Sequence, residues 1–328
     1  MTGNILTNRR ELVFIYDVRD SNPNGDPDDE NRPRMDLDGY NIVTDVRLKR
    51  TIRDYWLRTK DGQSGCHVLI RRELKPESGN LMTMEDLITS SLGLDPEKLQ
   101  DSKKKEYRKQ ALQDIASKLP ETFIDVRCFG SAVTIKGATH SITGPVQFAI
   151  GRSLNKPQIK SYTITTTFAS QEERGAGTFG EFHVVDYSLI AFHSVICEYN
   201  ARITGMSEND AQLVFEGLWK GTELLNTRSK FNHSPRLLFS VVSKVSQFQI
   251  GDLDRKFQIT KEENIKNAND AKINISELIK AIEENKDHIE KIELSSDNSL
   301  TFVTEEGETK DITALIKEIG VPVTILSF

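Results

Sequence analysis

The sequence predicts an α+β fold built around a βαββαβ core that carries two large insertions. An apolar run rich in β-branched and aromatic residues, at 11–18, precedes an amphipathic helical pattern at 45–59. A second amphipathic helix is predicted at 207–226, between the β-prone segments 187–199 and 236–245. With the remaining segments treated as insertions, this order of strands and helices corresponds to a ferredoxin-like core.

A polar loop joins the first strand to the first helix, and its centre is Asn22-Pro23-Asn24-Gly25-Asp26-Pro27. Two prolines and a glycine among amides and carboxylates make this loop stiff and rich in exposed backbone donors, which suits close approach by a phosphate-bearing chain. The helix is predicted to begin after Thr44, a good N-cap residue. Its buried face is predicted to consist of Leu48, Ile52, Tyr55 and Trp56.

The opposite face of this helix is basic. At roughly 100° per residue, Lys49, Arg50 and Arg53 fall together, with Arg47 and Arg58 at one flank. A solvated charged face is the ordinary explanation of such a pattern. The stiff, donor-rich loop beside the helix favours the alternative, which is a surface that binds phosphates.

The same loop matches the opening of an EF-hand calcium site through Asp20, Asn22, Asn24 and Gly25. The twelfth position of a calcium loop should be a bidentate glutamate, but here it is Asn31, and Glu30 comes one residue early. A strand rather than a helix also precedes the loop. We therefore predict no calcium site, and no metal or other cofactor elsewhere in the chain.

The first insertion spans about 60–122 and is predicted to be mainly helical from 82 to 119. Short strands are predicted on either side of the helices, at 67–72 and at 123–130. The helical part carries a basic cluster, which consists of Lys103, Lys104, Lys105, Arg108 and Lys109. A lysine run of this kind usually marks a solvated helix face, and contact with nucleic acid is the alternative.

The segment that follows the first insertion combines an arginine with small residues at Arg127, Gly130 and Ser131. A glycine permits close backbone approach to a phosphate and an arginine neutralises it. A strand that ends in a turn explains the same residues equally well. Arg152 and Ser153 form a second edge of this type, because a serine hydroxyl can bond a phosphate oxygen.

The second insertion, at about 155–186, is predicted to be a protruding β-hairpin. A β-branched strand at 162–168 is followed by a polar tip at 171–177 and a return strand at 178–185. Phe168 and Phe179 lie near the tip, where apolar side chains could wedge between the bases of a single strand. A hairpin that only packs against a neighbour is the simpler alternative.

Residues 251–328 are predicted to form an acidic α/β appendage, with a helix at 275–284, a hairpin at 291–303 and an apolar last segment at 321–328. Of the 49 acidic and 43 basic residues in the chain, 17 and 10 respectively lie between Asp252 and Glu318. The formal net charge of −6 is therefore concentrated in this part. It does not exclude a basic nucleic-acid track elsewhere.

Composition excludes two other classes of protein. No stretch approaches 18 uninterrupted apolar residues, and residues 1–10 lack an apolar signal region, so neither membrane spanning nor secretion is indicated. Cys66, Cys128 and Cys197 show no CxxC spacing and are odd in number, which argues against a zinc site or a disulfide framework. We expect a cytoplasmic protein with buried thiols.

Four motifs in a fixed order give the sequence a specific resemblance to a known family. The N-terminal run through NPNGDP, RPRMD and TDVRLKRTIRDY is followed by DVRCFGSAV at 125–133, TGPVQFAIGRSLN at 143–155 and GAGTFGE at 175–181. Over about residues 10–245 the chain resembles the CRISPR-associated backbone subunits of type I-B and I-C Cascade complexes. These are proteins of the RAMP superfamily.

The resemblance implies an RRM-like palm over residues 1–250, with helical fingers at about 60–122 and a β-hairpin thumb at about 155–186. It implies that copies of the chain polymerise in a helical filament along a CRISPR guide RNA (crRNA). Together with other Cascade subunits they would present the guide for pairing with target DNA in antiviral defence. Common RRM domains bind RNA through paired aromatic residues, and because that consensus is absent here, binding through the RNA backbone is expected.

The residues expected to carry these contacts are of three kinds. The expected guide-RNA contacts are Asn22, Asn24, Arg47, Lys49, Arg50, Arg53, Arg127, Gly130, Ser131 and Arg152. The expected base wedges of the thumb are Phe168 and Phe179. The expected target-DNA contacts of the fingers are Lys103, Lys104, Lys105 and Arg108.

Catalysis is the alternative to a binding function. Six histidines are acid–base candidates, yet the sequence contains no GxSxG, HExxH or P-loop motif. Related backbone subunits of type III complexes cut target RNA with a loop aspartate, so Asp26 or Asp20 would be the analogous acid. The type I signature favours a non-catalytic subunit over a RAMP-family endoribonuclease acting on guide or target RNA.

Overall fold

The computed structural model of the protein describes residues 4–101, 103–135, 138–166, 178–262 and 264–328, which form a mixed α+β structure as predicted. The strands are β1 Arg10–Ser21, β2 Gly25–Asp26, β3 Arg32–Pro33, β4 Ile42–Val43, β5 Gly130–Ile135, β6 Ala138–Thr143, β7 Val146–Phe148, β8 Gly151–Ser153, β9 Ile159–Thr166, β10 Thr178–Ile196, β11 His233–Ser243, β12 Gln258–Ile259, β13 Lys272–Asn274, β14 Ile289–Ser296, β15 Thr301–Thr304, β16 Gly307–Thr309 and β17 Val323–Ile325. The α-helices are α1 Asp45–Thr59, α2 Met84–Ser91, α3 Pro96–Gln100, α4 Lys105–Thr122, α5 Ile124–Phe129, α6 Glu198–Thr204, α7 Glu208–Glu223, α8 Ser276–Asn285 and α9 Ile312–Glu318. Short 3₁₀ helices lie at Leu253–Lys256, Ala268–Asp270 and Lys286–His288.

The largest sheet has nine strands, and seven of them follow the order β17-β14-β11-β1-β10-β8-β4. The other two, β7 and β9, pair with β10 off this path. Every residue of β1 from Arg10 to Val18 is buried, as expected for a central strand with both faces covered. A smaller sheet has the order β12-β13-β15-β16, and β2-β3 and β5-β6 are two-stranded.

The chain forms two compact units, and each unit is assembled from three segments. The first contains Met1–Arg10, Arg50–Gln147 and Val195–Gly217, and the second contains Glu11–Lys49, Phe148–Ser194 and Leu218–Phe328. The core of the first unit includes Leu69, Leu87, Ile88, Ile115, Leu119, Phe123 and Val126. The core of the second includes Val13, Ile15, Leu189, Phe239, Phe257, Ile273, Leu278 and Ile292. The predicted division near residue 250 stays a prediction, and residues 251–328 all belong to the second unit.

Two short strands predicted around the first insertion are wrong. Residues 67–72 make only an isolated bridge, between His67 and Phe123, and residues 124–129 form helix α5. All six residues of α5 are buried, so the segment shows no alternation by which a helix could be told from a strand. The helix ends at Gly130, whose φ of +79° suits a glycine C-cap.

The strands of the predicted hairpin are confirmed. β9 pairs antiparallel with β10, from Thr166 opposite Thr178 to Ile159 opposite Val185. The predicted tip at 171–177 and the prediction for Phe168 lie outside the described residues.

The C-terminal segment is confirmed in part. Helix α8 agrees with the predicted helix at 275–284. The hairpin predicted at 291–303 is wrong, because β14 pairs with β11 and β17 while β15 pairs with β13 and β16. The apolar segment at 321–328 packs within the second unit, since β17 adds to β14 in parallel and Phe328 stacks on Trp219.

In the described ranges, no helix has the length and apolar character needed to cross a bilayer. The three cysteines are free thiols. Cys128 is buried, as predicted, while Cys66 and Cys197 are half-buried.

Candidate nucleic-acid interface

Helix α1 and the loop before it form one hydrogen-bonded structure. Asn24 Oδ1 accepts hydrogen bonds from the backbone N and the hydroxyl of Thr44, both at 2.9 Å. Thr44 Oγ1 in turn accepts a hydrogen bond from Arg47 N at 3.3 Å, so Thr44 caps the helix as predicted. The predicted apolar face is buried at Leu48, Ile52, Tyr55 and Trp56.

Side-chain hydrogen bonds within the loop also hold its conformation. Asn22 is buried, and its amide donates to Asn31 O at 2.6 Å. Arg34 donates to the Asp26 carboxylate at 3.1 Å. Asn22 and Asn24, both expected to contact RNA, therefore hold the loop in shape. Asn22 Oδ1 is buried and makes no hydrogen bond within the described residues.

Two cations influence each other beside this loop. Lys230 is half-buried and donates to the backbone O of Asn22 at 3.1 Å. Burial, together with the positive charge of Arg47, lowers the pKa of Lys230 to about 8. Burial, with the charges of Lys230 and Arg47, lowers the pKa of His233 to about 3, so this imidazole is neutral at neutral pH. We call Arg47 and Lys230 the cation pair.

The cation pair can attract an anion. Two like charges held in a partly desolvated place repel each other, and a negative group between them would relieve that repulsion. Arginine and lysine side chains also commonly donate hydrogen bonds to nucleic-acid phosphates. Arg47 and Lys230 therefore have the positive charge and the hydrogen-bond donors that can bind a phosphate.

Lys230 is not among the residues predicted from sequence to contact RNA. It lies in the polar turn before β11, and its nearness to the loop arises because Asn22 N donates to Ser229 O at 2.8 Å. Lys230 and Asn22 are 208 residues apart in sequence. The available signal was the basic composition of this turn, in which Arg228 and Lys230 flank Ser229.

Lys49 and Arg50 lie half-buried on α1 and are paired within the helix. Lys49 contacts Asp45 at 3.0 Å and Arg50 contacts Asp54 at 2.7 Å. Pairs four residues apart on a helix stabilise it by only about 0.3–0.5 kcal/mol, so a phosphate could exchange for either carboxylate at small cost.

Arg53, by contrast, is buried in an internal ion pair. Its Nε donates to Asp125 Oδ2 at 2.9 Å, and its guanidinium lies 5.2 Å from the centre of the Phe129 ring. Asp125 also accepts from the backbone N of Leu69 at 2.8 Å and of Ile70 at 3.1 Å. Arg53 therefore neutralises a buried carboxylate that organises the segment predicted as a strand at 67–72.

Arg127 plays a similar part on helix α5. It makes two hydrogen bonds to Asp210, at 3.0 and 2.7 Å, and donates to the backbone O of Pro120 and Gly65 at 2.8 and 2.9 Å. A bidentate arginine of this kind fixes geometry as well as charge. Arg127 therefore links helix α5 to Asp210 and to the backbone at Pro120 and Gly65.

Gly130 is explained by a close approach of two backbone segments. A Cβ atom at this position would lie 2.2 Å from Ile142 O and 2.4 Å from Gly144 N, so only glycine fits. The group that approaches Gly130 closely is therefore protein backbone and not the phosphate predicted from sequence. Its neighbour Ser131 has a buried hydroxyl that makes no hydrogen bond among the residues described.

The remaining expected contacts lie on β8, on β10 and around the start of α4. Arg152 is exposed on β8 and forms an ion pair with Asp36. Lys103, Lys104 and Lys105 are exposed at the start of α4, whereas Arg108 is half-buried. Phe179 lies on β10 opposite Thr165.

Contacts in the loop also test whether it resembles a calcium site and whether its aspartates are free to act as acids. The Asp20 carboxylate pairs with Lys160 at 3.1 Å, and Asn24 Oδ1 is occupied by Thr44. These contacts do not gather the oxygens that a calcium loop requires. Asp26, the candidate acid, is paired with Arg34.

Comparison with known proteins gives one family and several related structures. A family model described as CRISPR-associated protein Cas7 matches residues 8–276. A curated CRISPR-associated protein Cas7 from Haloferax volcanii is 28% identical over 318 residues, covering 89% of this chain and 88% of the relative. Two solved structures, described as a CRISPR RNA-guided surveillance complex and the same in a pre-nicking state, give TM-scores of 0.48 and 0.49 at 11% identity. Each covers 95% of this chain, over 98% and 99% of its own length respectively.

Proposed function

The chain belongs to the Cas7 family of CRISPR-associated proteins, and we propose that it is the crRNA-binding backbone subunit of a type I Cascade surveillance complex. The type is I-B or the closely similar I-C. Several copies polymerise along one guide in a helical filament, with other Cascade subunits. They present the guide for pairing with target DNA in antiviral defence.

The observation that carries this proposal is the cation pair. Arg47 and Lys230 lie beside a braced loop, and burial, together with the positive charge of Arg47, lowers the pKa of Lys230. A guide phosphate bound there would neutralise both charges. Arg152 and Lys49, whose carboxylate partners can be exchanged, extend the same kind of contact along the second unit.

The architecture of the subunit follows the same proposal. β10 is inserted between β1 and β8, as in the split βαβ arrangement of an RRM-like palm. The helices α2 to α4, which have their own apolar core, serve as fingers, and their lysines contact target DNA. The β9-β10 hairpin serves as the thumb, with Phe168 and Phe179 as base wedges.

Binding through phosphate and sugar contacts depends little on the base sequence of the RNA. Phosphate and sugar contacts hold an RNA chain in register, whereas base pairing with the target supplies specificity. The protein should therefore bind guides of different spacer sequence with similar affinity.

The nucleic acid that copurifies with the protein tests the proposal. Native purification should yield RNA of discrete, guide-like length, and Arg47→Ala or Lys230→Ala should reduce its amount. Lys286→Ala, which removes an exposed lysine elsewhere in the second unit, is the matched control. Absence of RNA, or a reduction that is as large in the control variant, would contradict the proposal.

We propose further that the subunit binds RNA without cutting it. Bound RNA should remain intact when magnesium or manganese is added, and Asp26→Ala should behave like the wild type. Cleavage by the wild type that disappears in Asp26→Ala would instead establish an endoribonuclease.

A further inference from the structure

A second group of side chains brings together three metal-ligating residues. It consists of Glu30, on the loop between β2 and β3, with Glu181 and His183 of β10. One ligand atom from each lies within 4.8 Å of the other two. Glu181 and His183 are two residues apart on a strand, so their side chains leave the same face. Loop and hairpin thus meet at this point within the second unit.

His183 is the residue that distinguishes this group from an ordinary acidic cluster. It is 2% exposed, and its Nδ1 is hydrogen-bonded to Ser161 Oγ, at 2.8 Å on the paired strand β9. Its Nε2 is buried and makes no hydrogen bond within the described parts of the chain. That atom faces Glu181 Oε2 at 3.5 Å and Glu30 Oε2 at 3.8 Å. Buried polar atoms in folded proteins nearly always have a partner, so we expect one for His183 Nε2.

The distances from His183 Nε2 to the two carboxylates distinguish a direct hydrogen bond from a shared cation. A protonated imidazole bound directly to carboxylates would give charge-assisted hydrogen bonds of about 2.7–2.9 Å, and both observed separations are much longer. A tetrahedral cation with bonds of about 2.0–2.1 Å holds its ligand atoms about 3.3–3.4 Å apart. The observed 3.5 and 3.8 Å are closer to this second spacing.

Although the sequence predicted no metal site, we propose that Glu30, Glu181 and His183 bind a divalent transition-metal cation, with Zn²⁺ as the preferred occupant. An imidazole ligand favours zinc over magnesium, which prefers oxygen ligands only. In the metal-bound form, Nδ1–H of His183 donates a hydrogen bond to the Ser161 hydroxyl, which leaves the Nε2 lone pair for the metal. Three protein ligands leave a fourth position for water.

The proposed cation ties the loop to the base of the hairpin. Glu30 also lies 3.4 Å from Arg32 Nη2 at the surface, and this exposed pair would be exchanged for the metal bond at little cost. The site does not include the cation pair, so metal binding and guide-RNA binding are separate properties that can be measured separately.

Metal titration of the full chain tests the site. The protein, with any affinity tag removed and bound nucleic acid washed off, is titrated with Zn²⁺ against a chromophoric chelator and with Co²⁺ by visible absorption. We expect one equivalent of each to bind, with the intense absorption of tetrahedral Co²⁺. His183→Asn should abolish binding, and Glu30→Gln and Glu181→Gln should each weaken it at least tenfold.

Two further variants make the test specific. Ser161→Ala should weaken Zn²⁺ binding by about 10- to 100-fold, because it removes only the group that orients the imidazole. His67→Gln is the matched control, since His67 lies 3.4 Å from Asp61 at the surface and no described residue joins them as a third ligand, and it should leave binding unchanged. If His183→Asn does not fold, the variants at the exposed Glu30 and Glu181 still decide. Absence of stoichiometric Zn²⁺ and Co²⁺ binding, or equal binding by these variants, would overturn the proposal.

Discussion

Lys230 makes the proposed RNA contact sensitive to pH. In the free protein its pKa is lowered to about 8 by burial and by Arg47. A phosphate bound to the ammonium would raise that pKa again, so RNA binding above pH 8 must be accompanied by uptake of a proton. The affinity for RNA should therefore fall as the pH rises through about 8.

The size of the effect follows from that pKa. The free ammonium is about nine-tenths protonated at pH 7 and about one-tenth protonated at pH 9, when its pKa is about 8. If the bound form stays protonated, the RNA dissociation constant should rise about tenfold between these pH values, and by no more than tenfold per pH unit. Lys230→Arg keeps its charge over this range and should give a flat profile.

Folding stability provides an independent check with the opposite sign. The unfolded chain binds the Lys230 proton up to its ordinary pKa of 10.5, whereas the folded chain releases it near 8. This residue's contribution to stability without RNA should therefore rise between about pH 8 and 10.5. RNA affinity by fluorescence anisotropy and urea midpoints, for wild type, Lys230→Arg and Lys286→Ala, measure both trends. Equal pH profiles for wild type and Lys230→Arg would refute the reasoning.

Three further predictions concern other parts of the chain. Arg53→Ala should destabilise the fold by about 3–5 kcal/mol in urea unfolding, because it leaves a buried carboxylate without its counter-charge. A change of less than about 1 kcal/mol would contradict the buried pair. Lys49→Ala and Arg50→Ala should preserve the circular dichroism spectrum and lower the salt dependence of RNA binding, by a slope of up to about 0.7 for each RNA phosphate that is no longer neutralised. An unchanged slope would mean that both side chains serve only their helix. Single mismatches walked along the guide should be tolerated at regular intervals, since stacking on a wedge is worth about 1–3 kcal/mol per base. Deleting 165–179 should abolish that periodicity, and a flat wild-type profile would count against the thumb.

Local patterns predicted the elements whose residues are organised by their neighbours in sequence. The bounds of α1, its N-cap Thr44 and its apolar face follow from period and capping chemistry alone. The strands of the β9-β10 hairpin follow from their β-branched runs and the polar tip between them. The strand predicted at 123–130 failed because the segment is buried on all sides, so that period carries no information.

The site was less predictable because its electrostatics depend on distant partners. Helical period places Arg53 beside Lys49 and Arg50, yet Arg53 is buried against Asp125, 72 residues further along the chain. Arg127 likewise meets Asp210 across 83 residues. A helical wheel shows which cations share a face, but it cannot show which of them already have a carboxylate.

The contrast between these cations separates structural from binding roles. Arg53 is paired with Asp125, and Arg127 with Asp210 and backbone carbonyl groups, so a phosphate would add little to them and their removal would damage the fold. Burial, and after it the positive charge of Arg47, lowers the pKa of Lys230, so holding this ammonium at neutral pH costs the folded chain free energy. A phosphate that binds Lys230 would favour its charged form and offset that cost. A buried cation with a lowered pKa, rather than the number of cations, therefore marks the position at which we propose that the guide backbone binds.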